Sequence, residues 1–260
     1  MDRKNNNSLA TSKSSEVSML LGIHVFDFSH VVGDLCTVRD ESELVKIKLT
    51  SCGEEKFTCN DGQCVGMEER CNQISNCRDE SDEDNCKMLV MEENYKKKIA
   101  PFGFDHVEQK IIPVDVNISM AVMDVLSIQE VNLVYTLKFR LLMEWYDERL
   151  TYHNLKIERS ANLLARDEID KLWIPFVFFG NTENNDATKS DDDSEVTITR
   201  EGDFIPNMPN IIEEINIFTG KDNRITFQQV YSKTFKCEYQ LQLYPFDTQV
   251  LISHLVYWGL

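Results

Sequence analysis

Residues 133–146 read LVYTLKFRLLMEWY. Leu133, Tyr135, Leu137, Phe139, Leu141, Met143 and Trp145 take every second position, with Val134, Thr136, Lys138, Arg140, Leu142, Glu144 and Tyr146 between them. Side chains of a strand alternate between two faces, so large apolar residues at period two predict a strand with one face in a core. Val116, Ile118, Met120 and Val122 repeat the pattern one strand earlier, and shorter runs follow at Val196 to Thr199, Ile211 to Phe218, Arg224 to Val230 and Cys237 to Leu243. Many strands with little room for crossover helices predict a mainly β chain, an antiparallel sandwich from about residue 113 onward. A short N-terminal helix is expected just ahead of it, over Met91 to Ile99, ended by Pro101. Glu183 to Glu195 is acidic but lacks the glycine and distal glutamate of a calcium loop, and reads as a solvated loop.

Upstream the composition changes. Six of the eight cysteines, Cys52, Cys59, Cys64, Cys71, Cys77 and Cys86, lie within 35 residues. A dense, even set in a stretch poor in apolar residues implies a disulfide scaffold from an oxidising compartment. A zinc site would want C-x-x-C pairs, and no pair has that spacing. Residues 1–50 form a lead-in of little specific character; alternation within Gly22 to Leu49 suggests the end of an upstream β domain.

Over the whole chain, 27 lysines and arginines face 44 aspartates and glutamates, a formal charge of −17. That field repels nucleic acid and anionic membranes and favours cations, and it serves equally as a solubility surface. No window holds the roughly 18 apolar residues of a spanning helix, and Met1 to Glu16 is too polar for a signal peptide. The expectation is an incomplete chain whose export signal and membrane segments lie outside it. The five histidines show no ligand spacing, and no nucleophile–base pair or phosphate-binding glycine loop appears, so no enzymatic role is expected. Asn6-Asn7-Ser8 and Asn117-Ile118-Ser119 match the glycosylation acceptor pattern, a short pattern that also arises by chance. Asn117 falls on the outer face of its expected strand.

The cysteine segment runs CGEEKFTCNDGQCVGMEERCNQISNCRDESDEDNC from Cys52 to Cys86. Its six spaced cysteines, Phe57, Gly62 and the terminal Asp79-x-Ser81-Asp82-Glu83 resemble the low-density-lipoprotein-receptor class A module, assigned here to residues 51–87. Spacing alone leaves fifteen pairings open; the resemblance implies Cys52–Cys64, Cys59–Cys77 and Cys71–Cys86. It also implies one calcium ion, held by the side chains of Asn72, Asn76, Asp82 and Glu83 and the backbone carbonyls of Glu69 and Ile74. The family usually has aspartates at the first two side-chain positions, and both are asparagine here. An amide oxygen still coordinates, but two charges are gone, so calcium is expected to be held weakly. A purely structural module that holds the ion poorly or not at all stays open.

Three further motifs lie in order on the β background: Glu144-Trp145-x-Asp147-x-Arg149-Leu150, Leu172-Trp173-Ile174-Pro175, and Cys237-x5-Leu243-Tyr244-Pro245-Phe246-Asp247-x-Gln249. Together they resemble the extracellular domain of pentameric ligand-gated ion channels, the Cys-loop receptor superfamily, over residues 95–260 with the end missing. In that family the Tyr244-Pro245-Phe246-Asp247 turn transmits ligand binding to the pore, and the agonist sits between neighbouring subunits in an aromatic box. Trp258 aligns with one box tryptophan. Arg140 stands where an aromatic is usual, Gly180 where a tyrosine is frequent, and Phe176 replaces an aspartate. An arginine facing the pocket suits a carboxylate ligand better than a quaternary amine. The family's loop disulfide would join Cys237 to position 251, which is Leu251, so that bond cannot form. Cys237 is left as a free thiol or a partner for Cys36.

The resulting expectation is the extracellular ligand-binding part of a neurotransmitter-gated channel subunit. It would sit on the outer face of the plasma membrane, in a homo- or hetero-pentamer, bind a small molecule, and meet the membrane only through segments absent from this chain. Two alternatives are a secreted soluble ligand-binding protein and a calcium-dependent adhesion or scavenging protein acting through the class A module.

Overall fold

The computed structural model describes residues 11–12, 21–27, 44–53, 55–105, 109–182, 187–190, 192–205, 214–237 and 250–257. The chain forms two units, residues 1–86 with 206–216, and residues 87–205 with 217–260.

In the first unit, β1 (Thr11–Ser12), β2 (Gly22–Asp27) and β3 (Leu44–Leu49) form an antiparallel sheet. The lead-in is thus partly ordered β structure, and it is built onto the cysteine segment. Ile23 donates its backbone N–H to the Asn60 carbonyl at 3.0 Å. Gly22 has φ +102°, and a Cβ there would fall 2.2 Å from that carbonyl oxygen, so only glycine fits this approach. The cysteine segment contributes β4 (Lys56–Thr58) and β5 (Cys64–Gly66), which pair antiparallel around buried Phe57, Cys59, Val65 and Cys77. Phe57 is flanked by two cations: Lys48 Nζ lies 4.6 Å and Arg70 Cζ 4.5 Å from its ring centroid. Such stacking holds cations against apolar surface in a unit with little other core. Glu214, also in this unit, accepts hydrogen bonds from the Thr58 N–H and hydroxyl and pairs with Lys48 at 3.3 Å.

The second unit is antiparallel β throughout: β6 (Leu89–Met91), β7 (Phe102–Asp105), β8 (Lys110–Pro113), β9 (Asn117–Gln129), β10 (Val134–Trp145), β11 (Leu150–His153), β12 (Val177–Phe179), β13 (Glu195–Thr199), β14 (Ile217–Thr219), β15 (Arg224–Lys236) and β16 (Leu255–Tyr257). Its main sheet has the order β13-β15-β10-β9, and a second runs β14-β11-β6. Both sheets feed one core. Of the alternating residues of β10, Tyr135, Leu137, Phe139, Leu141, Met143 and Trp145 are buried, each worth about 1.5–3 kcal/mol in transfer from water. Leu133 instead sits exposed in the turn before β10, at φ +53°.

The helix expected over Met91 to Ile99 is not formed. Met91 pairs with Leu150 in a β ladder, and Tyr95 is drawn into contact with Trp173 and Asp147, so only isolated turns closed by Tyr95 and Ile99 remain. The one described α-helix is the single turn α1 (Arg166–Ile169).

Candidate functional site

The Glu144–Leu150 and Leu172–Pro175 motifs converge just past the end of β10. Asp147 is fully buried just past β10; its carboxylate accepts from Arg149 Nε at 2.8 Å, Arg149 Nη2 at 2.7 Å and the Arg149 backbone at 3.1 Å. The guanidinium also donates to the Ile99 carbonyl at 2.8 Å and lies 4.6 Å from the Tyr95 ring centroid. The Tyr95 hydroxyl donates to Asp147 at 3.3 Å and accepts the Trp173 backbone N–H at 2.9 Å. Trp173 meets Trp145 edge to face at 5.9 Å. The Trp145-x-Asp147-x-Arg149 and Leu172-Trp173 motifs, apart in sequence, are therefore one knot at the joint between the two sheets. Burial and then the Asp147 charge push the Tyr95 phenol well above its ordinary pKa. Burial lowers that of Arg149, but hydrogen bonding to Asp147 and its charge more than offset this, and the net shift is upward. This knot is a scaffold rather than a pocket.

Arg140 sits on the opposite, solvent-facing side of β10, exposed, between Val230 of β15 and Ala121 of β9. Among the described residues its guanidinium has no ion-pair or hydrogen-bond partner. Lys138, two places along, lies on the same face opposite Asp124 and Ser232. Phe176 is half-buried and meets Phe178 edge to face at 5.5 Å; Gly180 donates to the His254 carbonyl at 2.8 Å. The strand β16 ends at Tyr257. Trp258, Tyr244, Pro245, Phe246, Asp247 and Cys36 lie outside the described residues. Cys237 is a free thiol whose Sγ is 3.8 Å from the Val250 carbonyl.

In the cysteine segment the structure pairs Cys52 with Cys64, Cys59 with Cys77 and Cys71 with Cys86. Four of the expected calcium ligands form one hydrogen-bonded cluster. Asp82 is fully buried and accepts from the Asn76 N–H at 2.6 Å and the Cys77 N–H at 3.2 Å. Glu83 accepts from the backbone of Asn72 and Gln73 at 2.8 and 3.0 Å, and the Asn72 amide donates to Asn76 Oδ1 at 3.1 Å. Arg70, beneath this turn, donates to the backbone carbonyls of Ser81, Asp82 and Asp84. Ile74 is exposed, and the Glu69 carboxylate accepts the Gly66 N–H at 2.7 Å. A wholly buried carboxylate beside a second carboxylate and two amides is a donor set that fits a hard cation. Cys59, Cys77 and Asp79 also bring donor atoms within 4.8 Å of one another, but the two sulfurs are bonded to each other and are not thiolate ligands. Sequence reasoning did not foresee the roles of Tyr95 and Glu214, whose partners are far away in the chain, or of Arg70, whose carbonyl partners lie 11 to 14 residues on in the same segment.

Residues 84–251 match the neurotransmitter-gated ion-channel ligand binding domain family, and residues 50–86 the low-density lipoprotein receptor domain class A family. Over 166 residues the chain is 25% identical to a glutamate-gated chloride channel of Drosophila melanogaster, covering 64% of this chain and 31% of that protein. It is 26% identical over 137 residues to a gamma-aminobutyric acid receptor subunit rho-3 of Rattus norvegicus, covering 53% and 25%. A 48-residue stretch is 42% identical to a vitellogenin receptor of Solenopsis invicta, 18% of this chain and 3% of that protein. The chain thus spans about a third or less of the length of these relatives. With the Trp145-x-Asp147-x-Arg149 and Leu172-Trp173 motifs joined on one antiparallel scaffold, the chain belongs to the neurotransmitter-gated ion-channel ligand binding domain family and carries a class A segment ahead of that domain.

Proposed function

We propose that this chain is the extracellular ligand-binding part of a pentameric ligand-gated channel subunit, with residues 95–260 as the receptor domain, 51–87 as the class A module and 1–50 as its lead-in. No described helix is long and apolar enough to cross a membrane, so in this reading the pore belongs to other segments. Extracellular placement rests on the three disulfides, which persist in oxidising compartments.

The ligand is a small amino acid whose carboxylate is taken by Arg140. The observation that carries this is the exposed Arg140 guanidinium, flanked by the small or apolar Ala121 and Val230 rather than by a carboxylate. A planar guanidinium binds a carboxylate through two parallel hydrogen bonds. By the family resemblance, Trp258 of the neighbouring subunit would supply an aromatic wall opposite Arg140, and the Tyr244–Asp247 turn would carry the signal onward. Relatives named as a glutamate-gated chloride channel and a gamma-aminobutyric acid receptor subunit make these two compounds the first to test. In the class A module, Asn72, Asn76, Asp82, Glu83 and the carbonyls of Glu69 and Ile74 would hold calcium, weakly. The ion would cross-link an acidic turn that has little core of its own.

The test is equilibrium binding of glutamate and of gamma-aminobutyric acid to the chain, with agonist-evoked current from the full-length gene product. Arg140→Ala is expected to weaken the binding ligand at least tenfold, with Arg140→Lys recovering only part of it. Binding of neither compound, or binding indifferent to Arg140, overturns the ligand assignment.

A further inference from the structure

We propose that Asn117 is an N-glycosylation site; the proposal rests on the extracellular reading above. Asn117-Ile118-Ser119 is an acceptor triplet with no proline between its polar members. Asn117 and Ser119 are both exposed, whereas Ile118 between them packs against the core. The strand's alternation therefore turns the two residues that matter to the same, outer side. Asn117 is the first residue of β9, which is the edge of its sheet among the described residues, so the backbone around it is not enclosed by further strands.

The chemistry fits the local hydrogen bonding. The Asn117 amide donates to Glu144 Oε2 at 3.3 Å, and Glu144 is itself fixed by Arg224 at 3.6 Å. An amide nitrogen carries two hydrogens, so this bond uses one and the other is the one replaced. In the transfer, Nδ2 forms a bond to the anomeric carbon of a lipid-diphosphate-linked oligosaccharide. The carbon–oxygen bond to the diphosphate breaks, the lipid diphosphate leaves with the electron pair, and the Nδ2 proton passes to a base of the transferase. The glycosylated amide keeps one N–H for Glu144.

The position has a consequence. Asn117 opposes Glu144, which shares the solvent-facing side of β10 with Arg140, four residues or about 13 Å along the strand. A sugar there leaves Arg140 open to a small ligand while hindering strand addition at the start of an apolar edge. Met120, Val122, Val125 and Ile128 follow on that edge and are exposed.

The test uses the full chain directed to the secretory pathway of a eukaryotic cell by a heterologous leader, in an Asn6→Gln background that removes the other triplet. Amidase release of N-glycans is expected to shift its mobility by one glycan. The shift should vanish with Asn117→Gln or Ser119→Ala and persist with Ser119→Thr, and peptide mass spectrometry should find aspartate at position 117 after release. Unmodified Asn117 in exported protein whose six module cysteines are oxidised overturns the site alone. Unmodified Asn117 with those cysteines reduced overturns the extracellular reading and the site with it.

Discussion

Asp147, with no exposed surface, holds Arg149 two residues away through both carboxylate oxygens at 2.8 and 2.7 Å. A buried carboxylate can be kept only if its charge is matched, and here the match also fixes Tyr95 and Ile99 to the joint between the sheets. Arg149→Ala is expected to destabilise the receptor unit by about 3 kcal/mol, because it strands a buried charge. Arg149→Lys should recover less than half of that, since an ammonium cannot make the paired hydrogen bonds. Urea unfolding of the chain measures both; equal stability of Arg149→Ala and the parent would dissociate this pair from the fold's strength.

The same knot sets an alkaline limit. Tyr95 and Tyr152 both have pKa values raised above the ordinary 10.0, in each case by burial first and by the Asp147 charge second. A group that binds its proton more tightly when folded lends stability that is complete below its unfolded pKa and fades as pH rises past it. Stability should therefore be flat with respect to these groups through neutral pH and fall from about pH 10 upward. Tyr95→Phe should make that fall shallower, while lowering stability near pH 7 through the lost bonds to Asp147 and the Trp173 N–H. Thermal melts across pH 7–11 decide it; an unchanged alkaline slope would locate the effect in other tyrosines.

Gly220 closes this corner by contact rather than by unusual backbone angles. Its N–H donates to the Leu150 carbonyl at 2.9 Å, and a Cβ would lie 2.1 Å from the Asp147 carbonyl oxygen and 2.8 Å from that of Leu150. Both obstacles are backbone, which cannot rotate away. Gly220→Ala should cost at least ~2 kcal/mol, a value reserved for strain and overpacking. Asn223→Ala, which removes the side-chain bonds to Thr219, Glu201 and Gly202 in the next turn, separates loss of the turn from the steric clash. A Gly220→Ala melting temperature within a degree of the parent would refute the close approach.

Much of this scaffold was legible because period-two burial writes itself into composition. The alternation around Phe139 located β10 and its inner face, since each inward position needs a large apolar side chain. On β9 the same signal stopped at Val122, for a physical reason. The ladder slips twice, so that Leu137 faces Val125 and Phe139 faces Val122, leaving Met123 and Leu126 as bulge residues. Two extra residues turn a period of two into steps of three, from Val122 to Val125 to Ile128, and the strand runs on to Gln129 unseen. On β15 the polar run Ser232-Lys233-Thr234 hid a strand that continues to Lys236, with Tyr231 and Phe235 buried on its inner side. The helix expected at Met91–Ile99 failed because tertiary partners claimed Met91 and Tyr95, which no local pattern encodes. In the class A segment the cysteines announced the scaffold, but the contacts of Phe57 with Lys48 and Arg70 needed the folded chain.

The acidic turn of that segment offers the last test. Asp82 and Glu83 supply two charges, while the Asn72 amide donates to Asn76 Oδ1 and the two side chains add none. Restoring a carboxylate at either position raises the negative charge facing a cation, and calcium sites tune affinity largely by that count. Asn72→Asp and Asn76→Asp should each tighten calcium roughly tenfold, about 1.4 kcal/mol, read by calorimetric titration of calcium into chelator-treated protein. Without calcium the double variant should be less stable than the parent, because two like charges would then sit beside Asp82 and Glu83 with no cation between them. Asp82→Asn should abolish binding and also lose stability, since an amide nitrogen would confront the N–H of Asn76 or Cys77. If Asp82→Asn leaves calcium affinity untouched, the ion is held elsewhere and this turn is structural alone.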